Sequence, residues 1–267
     1  MCSSDLIAWV GDLVDAPDDV RRAARRVDLA GRTVLPGFVD AHNHVRLGSD
    51  AACAQLAGAE TLDEVAARLH DWCAANPGDG WVEGEGYGYA GLADGAHPTA
   101  AMLDAIVADR PAAVFSYDVH TLWLNTAGLA ALGVTGADQP FGTAELDDDG
   151  RPTGFVADFA VKGLARAGMR ALKERGLPWA STERQYERLL SSLDLAVASG
   201  ITTVVEPQNS PDDLALFQRA RDEGRLGPRL VLAMFHPPTT TDADRAEFKA
   251  LATEFADDRI RVGPLKL

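Results

Sequence analysis

Amphipathic helices and short apolar strands alternate in the second half of the chain. Residues 182–199 place Tyr186, Leu189, Leu193 and Val197 at helical spacing, and Gly200 follows as a helix-ending residue. The predicted order after it is strand 201–206, helix 210–224, strand 229–235, helix 242–255 and strand 260–267. Such alternation predicts a parallel sheet with helices packed outside it.

The first half predicts one further strand of this kind and then a long, less regular stretch. Residues 33–41 (TVLPGFVDA) form an apolar run typical of a buried strand. Thr61 and Glu64 form a capping box at the start of a helix, and Asp147–Gly150 predicts a hairpin turn. Only four strands suit a parallel barrel, which needs eight strands and about 250 residues. We therefore expect the chain to be cut, with an insertion at about 45–190.

The charge narrows the set of partners. The 267 residues carry a net charge of −15, which repels phosphate backbones and anionic lipid surfaces. Three cysteines make no disulfide framework, and no apolar run approaches the length of a membrane span. We expect a cytoplasmic protein that binds neither nucleic acid nor membranes.

The strongest chemical motif closes the first predicted strand, as Asp40-Ala41-His42-Asn43-His44. Alternate residues of an extended chain share a face, so His42 and His44 lie about 6–7 Å apart along the backbone. Both imidazoles can then bind one metal ion. The carboxylate of Asp40 can orient an imidazole by a hydrogen bond to the ring nitrogen that does not bind the metal. A bare His-x-His pair is also common on surfaces, so the motif alone leaves both interpretations open.

The wider context resembles a known enzyme group. TVLPGFVDAHNH is similar to the signature of the amidohydrolase superfamily, whose first barrel strand ends in Asp-x-His-x-His. Residues 117–127 (YDVHTLWLNTA) resemble the Asp-Gly-His-x-x-Trp-x-Asn-Ser-x-Ala run of the YtcJ-like members, amidohydrolase family 3. Val119 replaces the glycine of that run, and Thr126 replaces its serine.

The resemblance implies a metal-dependent hydrolase of non-peptide carbon–nitrogen bonds, such as amides or N-formyl compounds, acting on a small molecule. The implied fold is a TIM-like (β/α)8 barrel, here reduced to about strands one to four at 33–267. Residues 1–32 would belong to a small β-rich domain. The implied cofactor is a divalent metal, zinc, as one or two ions. An inactive stand-alone fragment or scaffold that keeps the motif is the alternative.

Lys266 matches the family's strand-four lysine, which is carboxylated and bridges two metals. A free lysine is almost wholly protonated at pH 7, so carboxylation needs burial and nearby cations. An ordinary lysine at a strand end is the alternative. The family's general base and remaining histidines lie on later strands, so the sequence names no catalytic residue. We expect this chain alone to be inactive.

Several weaker signals leave two interpretations each. His120, Trp123 and Asn125 either line the substrate pocket or are ordinary core and polar residues. Glu206 ends the second strand and either faces the barrel mouth or is solvated. The unpaired edge of strand four favours association between copies, so a homodimer is one expected state. Residues 1–6 (MCSSDL) match a translated sequencing adapter, and we expect native sequence from about Ile7; an ordinary N-terminus is the alternative.

Overall fold

The computed structural model describes residues 7, 9–22, 27–89, 97–237 and 240–266, and it divides the chain into two compact units, 1–36 and 37–267. The first unit contains a 3-10 turn at Leu13–Asp15 and helix α1 at Asp18–Arg21. The adapter hypothesis concerns residues 1–6, which lie outside the described residues.

The second unit carries the remaining elements. Its strands are β1 (Phe38–Asp40), β2 (Ala54–Gln55), β3 (Val82–Tyr87), β4 (Ala112–Ser116), β5 (Leu122–Leu124), β6 (Asp138–Gln139), β7 (Gly142–Leu146), β8 (Pro152–Ala157), β9 (Ile201–Asn209), β10 (Arg229–Phe235) and β11 (Ile260–Lys266). Its helices are α2 (Leu62–Ala75), α3 (Ala100–Ile106), α4 (Thr126–Ala131), α5 (Phe159–Lys162), α6 (Arg166–Glu174), α7 (Thr182–Ala198), α8 (Leu214–Asp222) and α9 (Asp242–Glu254).

One sheet is four-stranded and parallel, in the order β1-β9-β10-β11. Helices α7, α8 and α9 cover one face of it, and their buried residues join those of the strands in one core, with Leu193, Phe217 and Leu232 fully buried. The helix–strand alternation predicted for residues 182–267 is confirmed. Gly200 ends α7 with φ +77°, in the left-handed region that glycine adopts without strain.

Strand β1 differs from its prediction in length and burial. It covers Phe38–Asp40 instead of 33–41, and the side chains of Phe38 and Val39 are 60% and 65% exposed. Pro36 has no N–H to donate, so the ladder begins only where the Phe38 N–H reaches the Gly200 carbonyl. Because β1 pairs with β9 alone, it is an edge strand and is not buried as predicted.

The segment between β1 and β9, which the sequence analysis expects to be an insertion, forms a second sheet of seven strands in the order β2-β3-β4-β5-β8-β7-β6. Its first three strands are parallel and the others pair antiparallel. The change of direction follows from the connection between β4 and β5, which is too short for the crossover that parallel strands require. Cores lie on both faces of this sheet.

The fold is therefore α/β, with one parallel and one mixed sheet. Neither sheet closes into a barrel within the described residues, and β1 and β11 form the two edges of the parallel sheet. No helix in the described part of the chain is long and apolar enough to span a bilayer.

Candidate metal centre and active-site pocket

The chemistry-bearing residues collect at the carboxyl end of the parallel sheet. His42 and His44 follow β1, Glu206 lies in the last half of β9, His236 follows β10, and Lys266 ends β11. Because the four strands run parallel, their carboxyl ends share one rim. This is the end at which barrel enzymes place their active sites.

A pocket of about 280 Å³ opens at this rim. Its lining combines the parallel sheet, through His44, His236 and Lys266, with the insertion, through Asp118 and His120. Apolar side chains, including Leu47, Leu164 and Phe235, form much of the remaining wall. The pocket thus gathers basic side chains from distant parts of the chain into a partly apolar cavity, an arrangement typical of small-molecule sites.

The loop after β1 is held by Asp40. Its carboxylate accepts hydrogen bonds from the His42 N–H at 3.1 Å and from the Asn43 side chain at 2.8 Å. The Asn43 bond, together with the His42 bond, lowers the pKa of Asp40. Asp40 therefore fixes the backbone that carries the histidines, and its role in orienting an imidazole stays a prediction.

The two imidazoles lie next to each other. The ring centroids of His42 and His44 are 5.4 Å apart, with the rings at 81°. Two histidines on one tetrahedral zinc ion place their centroids about 5 Å apart. The buried Nδ1 of His44 forms no hydrogen bond among the described residues, although a carboxylate oxygen of Glu206 lies 3.3 Å from it. However, no group of three or more His, Cys, Asp or Glu in those residues is placed to hold a metal.

Glu206 is fully buried next to His44, so the solvated alternative is wrong. Its Oε1 lies 3.3 Å from His44 Nδ1, and its Oε2 accepts a hydrogen bond from the Arg46 N–H at 3.2 Å. Arg46 is also buried: its guanidinium lies 3.2 Å from Asp213 Oδ1 and donates to the Gln208 carbonyl at 3.0 Å. Arg46 thereby ties the histidine loop to the end of β9.

The turn between β4 and β5 brings the insertion into the pocket. Asp118 accepts hydrogen bonds from the Ser116 hydroxyl, the Tyr89 hydroxyl and the His120 N–H. Burial opposes ionisation of Asp118, but these bonds outweigh it and lower its pKa. Val119, between Asp118 and His120, has φ +59°. This left-handed conformation is one that glycine adopts easily, which explains the glycine at this position of the family's motif.

Trp123 and Asn125 lie elsewhere. The indole of Trp123 is fully buried and donates to the Thr99 carbonyl at 2.8 Å. Asn125 caps α4 through the Gly128 N–H, and its amide donates to the carbonyls of Val107 and Arg110. Of the three residues predicted for the pocket, the structure places only His120 there.

The sequence analysis did not single out His236. Its backbone N–H donates to the Lys266 carbonyl at 2.8 Å, and its ring lines the pocket. The available signal was its position directly after a predicted parallel strand. Neither the His236 ring nor the Lys266 ammonium forms a hydrogen bond or ion pair within the described residues.

A known protein family matches most of the chain. The profile of the amidohydrolase family matches residues 25–267. The chain belongs to the amidohydrolase family. The resemblance stated from the motifs is thus confirmed.

Relatives and solved structures are similar to this chain over half of its length or more. An N-substituted formamide deformylase of Arthrobacter pascens is 29% identical over 85% of this chain and 42% of its own length. YtcJ of Bacillus subtilis, described as an amidohydrolase, is 28% identical over 53% of this chain and 27% of its own. An uncharacterized metal-dependent hydrolase of Pyrococcus horikoshii has the same fold, with a TM-score of 0.56, 20% identity, and coverage of 86% and 42%. The chain spans about half the length of these relatives or less.

Proposed function

We propose that the chain is the N-terminal part of a zinc-dependent, cytoplasmic hydrolase that cleaves non-peptide carbon–nitrogen bonds in small amides or N-formyl compounds. The observation that carries this proposal is the pocket, in which His44, Lys266 and His120 converge at the carboxyl end of a parallel sheet. The name of the formamide deformylase relative supports the substrate class.

The proposed architecture is an incomplete barrel over residues 33–267, interrupted by the insertion at about 45–190, with residues 1–32 from a small β-rich domain. The exposed faces of β1 support it, because Phe38 and Val39 would be covered once further strands closed the barrel. Strand β11 offers the other free edge.

His42, His44 and a carboxylated Lys266 would hold the zinc ions. Bound zinc supplies Lewis acidity, which polarises a carbonyl group and acidifies water. Carboxylation joins the neutral Lys266 Nζ to the carbon of CO2 and releases one proton. His120 and His236 face the same cavity, where they can donate hydrogen bonds to the carbonyl or leaving nitrogen. The apolar wall of Leu47, Leu164 and Phe235 limits access of bulk water.

Zinc titration of this chain tests the proposal. We expect the His42→Ala, His44→Ala double variant to lose at least tenfold in zinc affinity by calorimetry, since two ligands are removed. His70→Ala, an exposed histidine outside the pocket, is the matched control. Lys266→Met should weaken binding when CO2 is supplied, whereas Lys249→Met should not. Equal zinc affinity in the double variant and the His70 control would refute the metal assignment.

A further inference from the structure

A second pocket, of about 260 Å³, adjoins the candidate site. It lies between the loops that follow β9 and β10 and the start of helices α6 and α9. Leu164, Phe235 and Pro237 line both pockets, so each contributes to the boundary between them. The two pockets therefore adjoin at these residues, and a ligand long enough to pass Phe235 would reach both; we term the second one the side pocket.

The walls of the side pocket are mainly apolar. Phe235 and Phe248 supply two aromatic side chains, Pro211 closes the side toward β9, and Ala165 and Ala167 present small side chains from the region of α6. A cavity of about 150 Å³ is sufficient to bind benzene when its lining is apolar. The side pocket therefore has room for a phenyl ring or a short aliphatic chain.

The charged residues of the side pocket already have partners. Arg166 Nε lies 3.1 Å from Asp212, and the same guanidinium donates two hydrogen bonds to Glu247, at 2.9 and 3.2 Å. Asp244 accepts from the Thr241 N–H and hydroxyl, and Arg170 lies 4.0 Å from Asp212. A charged ligand would have to compete with these pairs, whereas an uncharged apolar group displaces water alone.

We propose that the side pocket binds an uncharged apolar substituent of the substrate, either an aliphatic chain of about four to six carbons or a phenyl ring. This rests on the proposed function, because it assumes that the carbon–nitrogen group lies in the adjoining pocket. The side pocket selects substrates by the length of this substituent. Affinity then rises about fourfold for each buried methylene.

The test measures binding of N-methyl-, N-butyl- and N-hexylformamide to the 267-residue chain by saturation-transfer NMR, with and without zinc. We expect dissociation constants to fall by more than tenfold from the methyl to the hexyl compound. Ala167 lies at an exposed position of α6 and lines the side pocket, so the indole of Ala167→Trp should fill the mouth of the pocket. The dependence of affinity on chain length should then disappear. Ala131→Trp, on the exposed side of α4, is the matched control and should keep it.

Separate outcomes address the two proposals. Equal affinities across the three formamides, or an unchanged length dependence in Ala167→Trp, would overturn the side-pocket assignment. n-Hexanol, which has no formamide group, should compete with N-hexylformamide at the side pocket with or without zinc; failure to compete also overturns the assignment. If formamide binding depends on chain length but the His42→Ala, His44→Ala variant keeps its zinc affinity, the side pocket is supported and the metal centre is refuted.

Discussion

Replacing Arg46 should destabilise the protein more than any surface arginine does. Arg46→Met removes the ion pair to Asp213 and the hydrogen bond to the Gln208 carbonyl, and both partners are buried. Breaking a buried pair by deleting one partner costs about 3–5 kcal/mol, since the other charge stays uncompensated. Asp213 keeps two bonds from Ser210, which places the expected loss near the lower end, at about 3 kcal/mol.

Urea denaturation followed by circular dichroism measures this loss. With a slope of about 2–3 kcal/mol per molar urea, the midpoint should fall by about 1 M or more. The double variant Arg46→Met, Asp213→Asn should be less destabilised than the sum of the two single variants, by about 2 kcal/mol, because it leaves no unpaired charge. The urea midpoint of Arg46→Lys should lie between those of Arg46→Met and the wild type.

The control is Arg151→Met, which removes an exposed pair with Asp149 and should cost less than about 1 kcal/mol. Below its unfolding transition, Arg46→Met should also bind zinc about tenfold more weakly, because Arg46 positions the histidine loop. If Arg46→Met shifted the urea midpoint no more than Arg151→Met does, the argument that Arg46 clamps this loop would be refuted.

Three further predictions concern the sheet of the insertion, acid stability and activity. Gly154→Ala should lower the free energy of unfolding by at least about 3 kcal/mol, because φ is +106° and a Cβ would lie 2.4 Å from the Ala100 nitrogen. Gly80→Ala is the control, since a Cβ there meets free space, and it should shift the thermal midpoint little. Hydrogen bonds from the N–H groups of Ile260 and Arg259 lower the pKa of Asp257, so its contribution is present above the unfolded pKa and is lost as the pH falls through the folded value. The wild type should therefore be more stable than Asp257→Asn at pH 6, by under about 1 kcal/mol because the side chain is partly exposed. This difference should shrink as the pH is lowered to 3. A difference in urea midpoints that stays constant over this range would contradict the prediction. Finally, the zinc-loaded chain should hydrolyse a panel of N-acyl and N-formyl compounds far below about 1 per second, and metal-dependent turnover above that rate would contradict the fragment hypothesis.

The sequence was sufficient for the parallel sheet because its signals are local. Strands β9, β10 and β11 are short apolar runs between capped amphipathic helices. The pattern that predicts each of these elements lies within about fifteen residues of sequence. The His-x-His motif is local too, although the structure places both histidines in the loop after β1 and not in the strand. The mixed sheet was not predicted as a unit, because strand order depends on pairings between distant segments.

The rest of the site could not be predicted for the same reason. The burial of Glu206 depends on Arg46, 160 positions away along the chain. His236 joins the pocket only because β10 pairs with β11. Asn125 caps α4 through a local bond from the Gly128 N–H, but the carbonyls of Val107 and Arg110 that accept from its amide are brought near only by folding.

The bond between Arg46 and Glu206 also constrains the order in which the protein folds. Closing a flexible loop of 160 residues costs on the order of 4–5 kcal/mol in chain entropy before any contact repays it. A segment that has already folded into its own sheet brings its ends together at no further cost. The insertion should therefore fold first, and the histidine loop should meet the end of β9 late. Metal affinity would then be acquired in the last step of folding, after most of the backbone has become protected from hydrogen exchange.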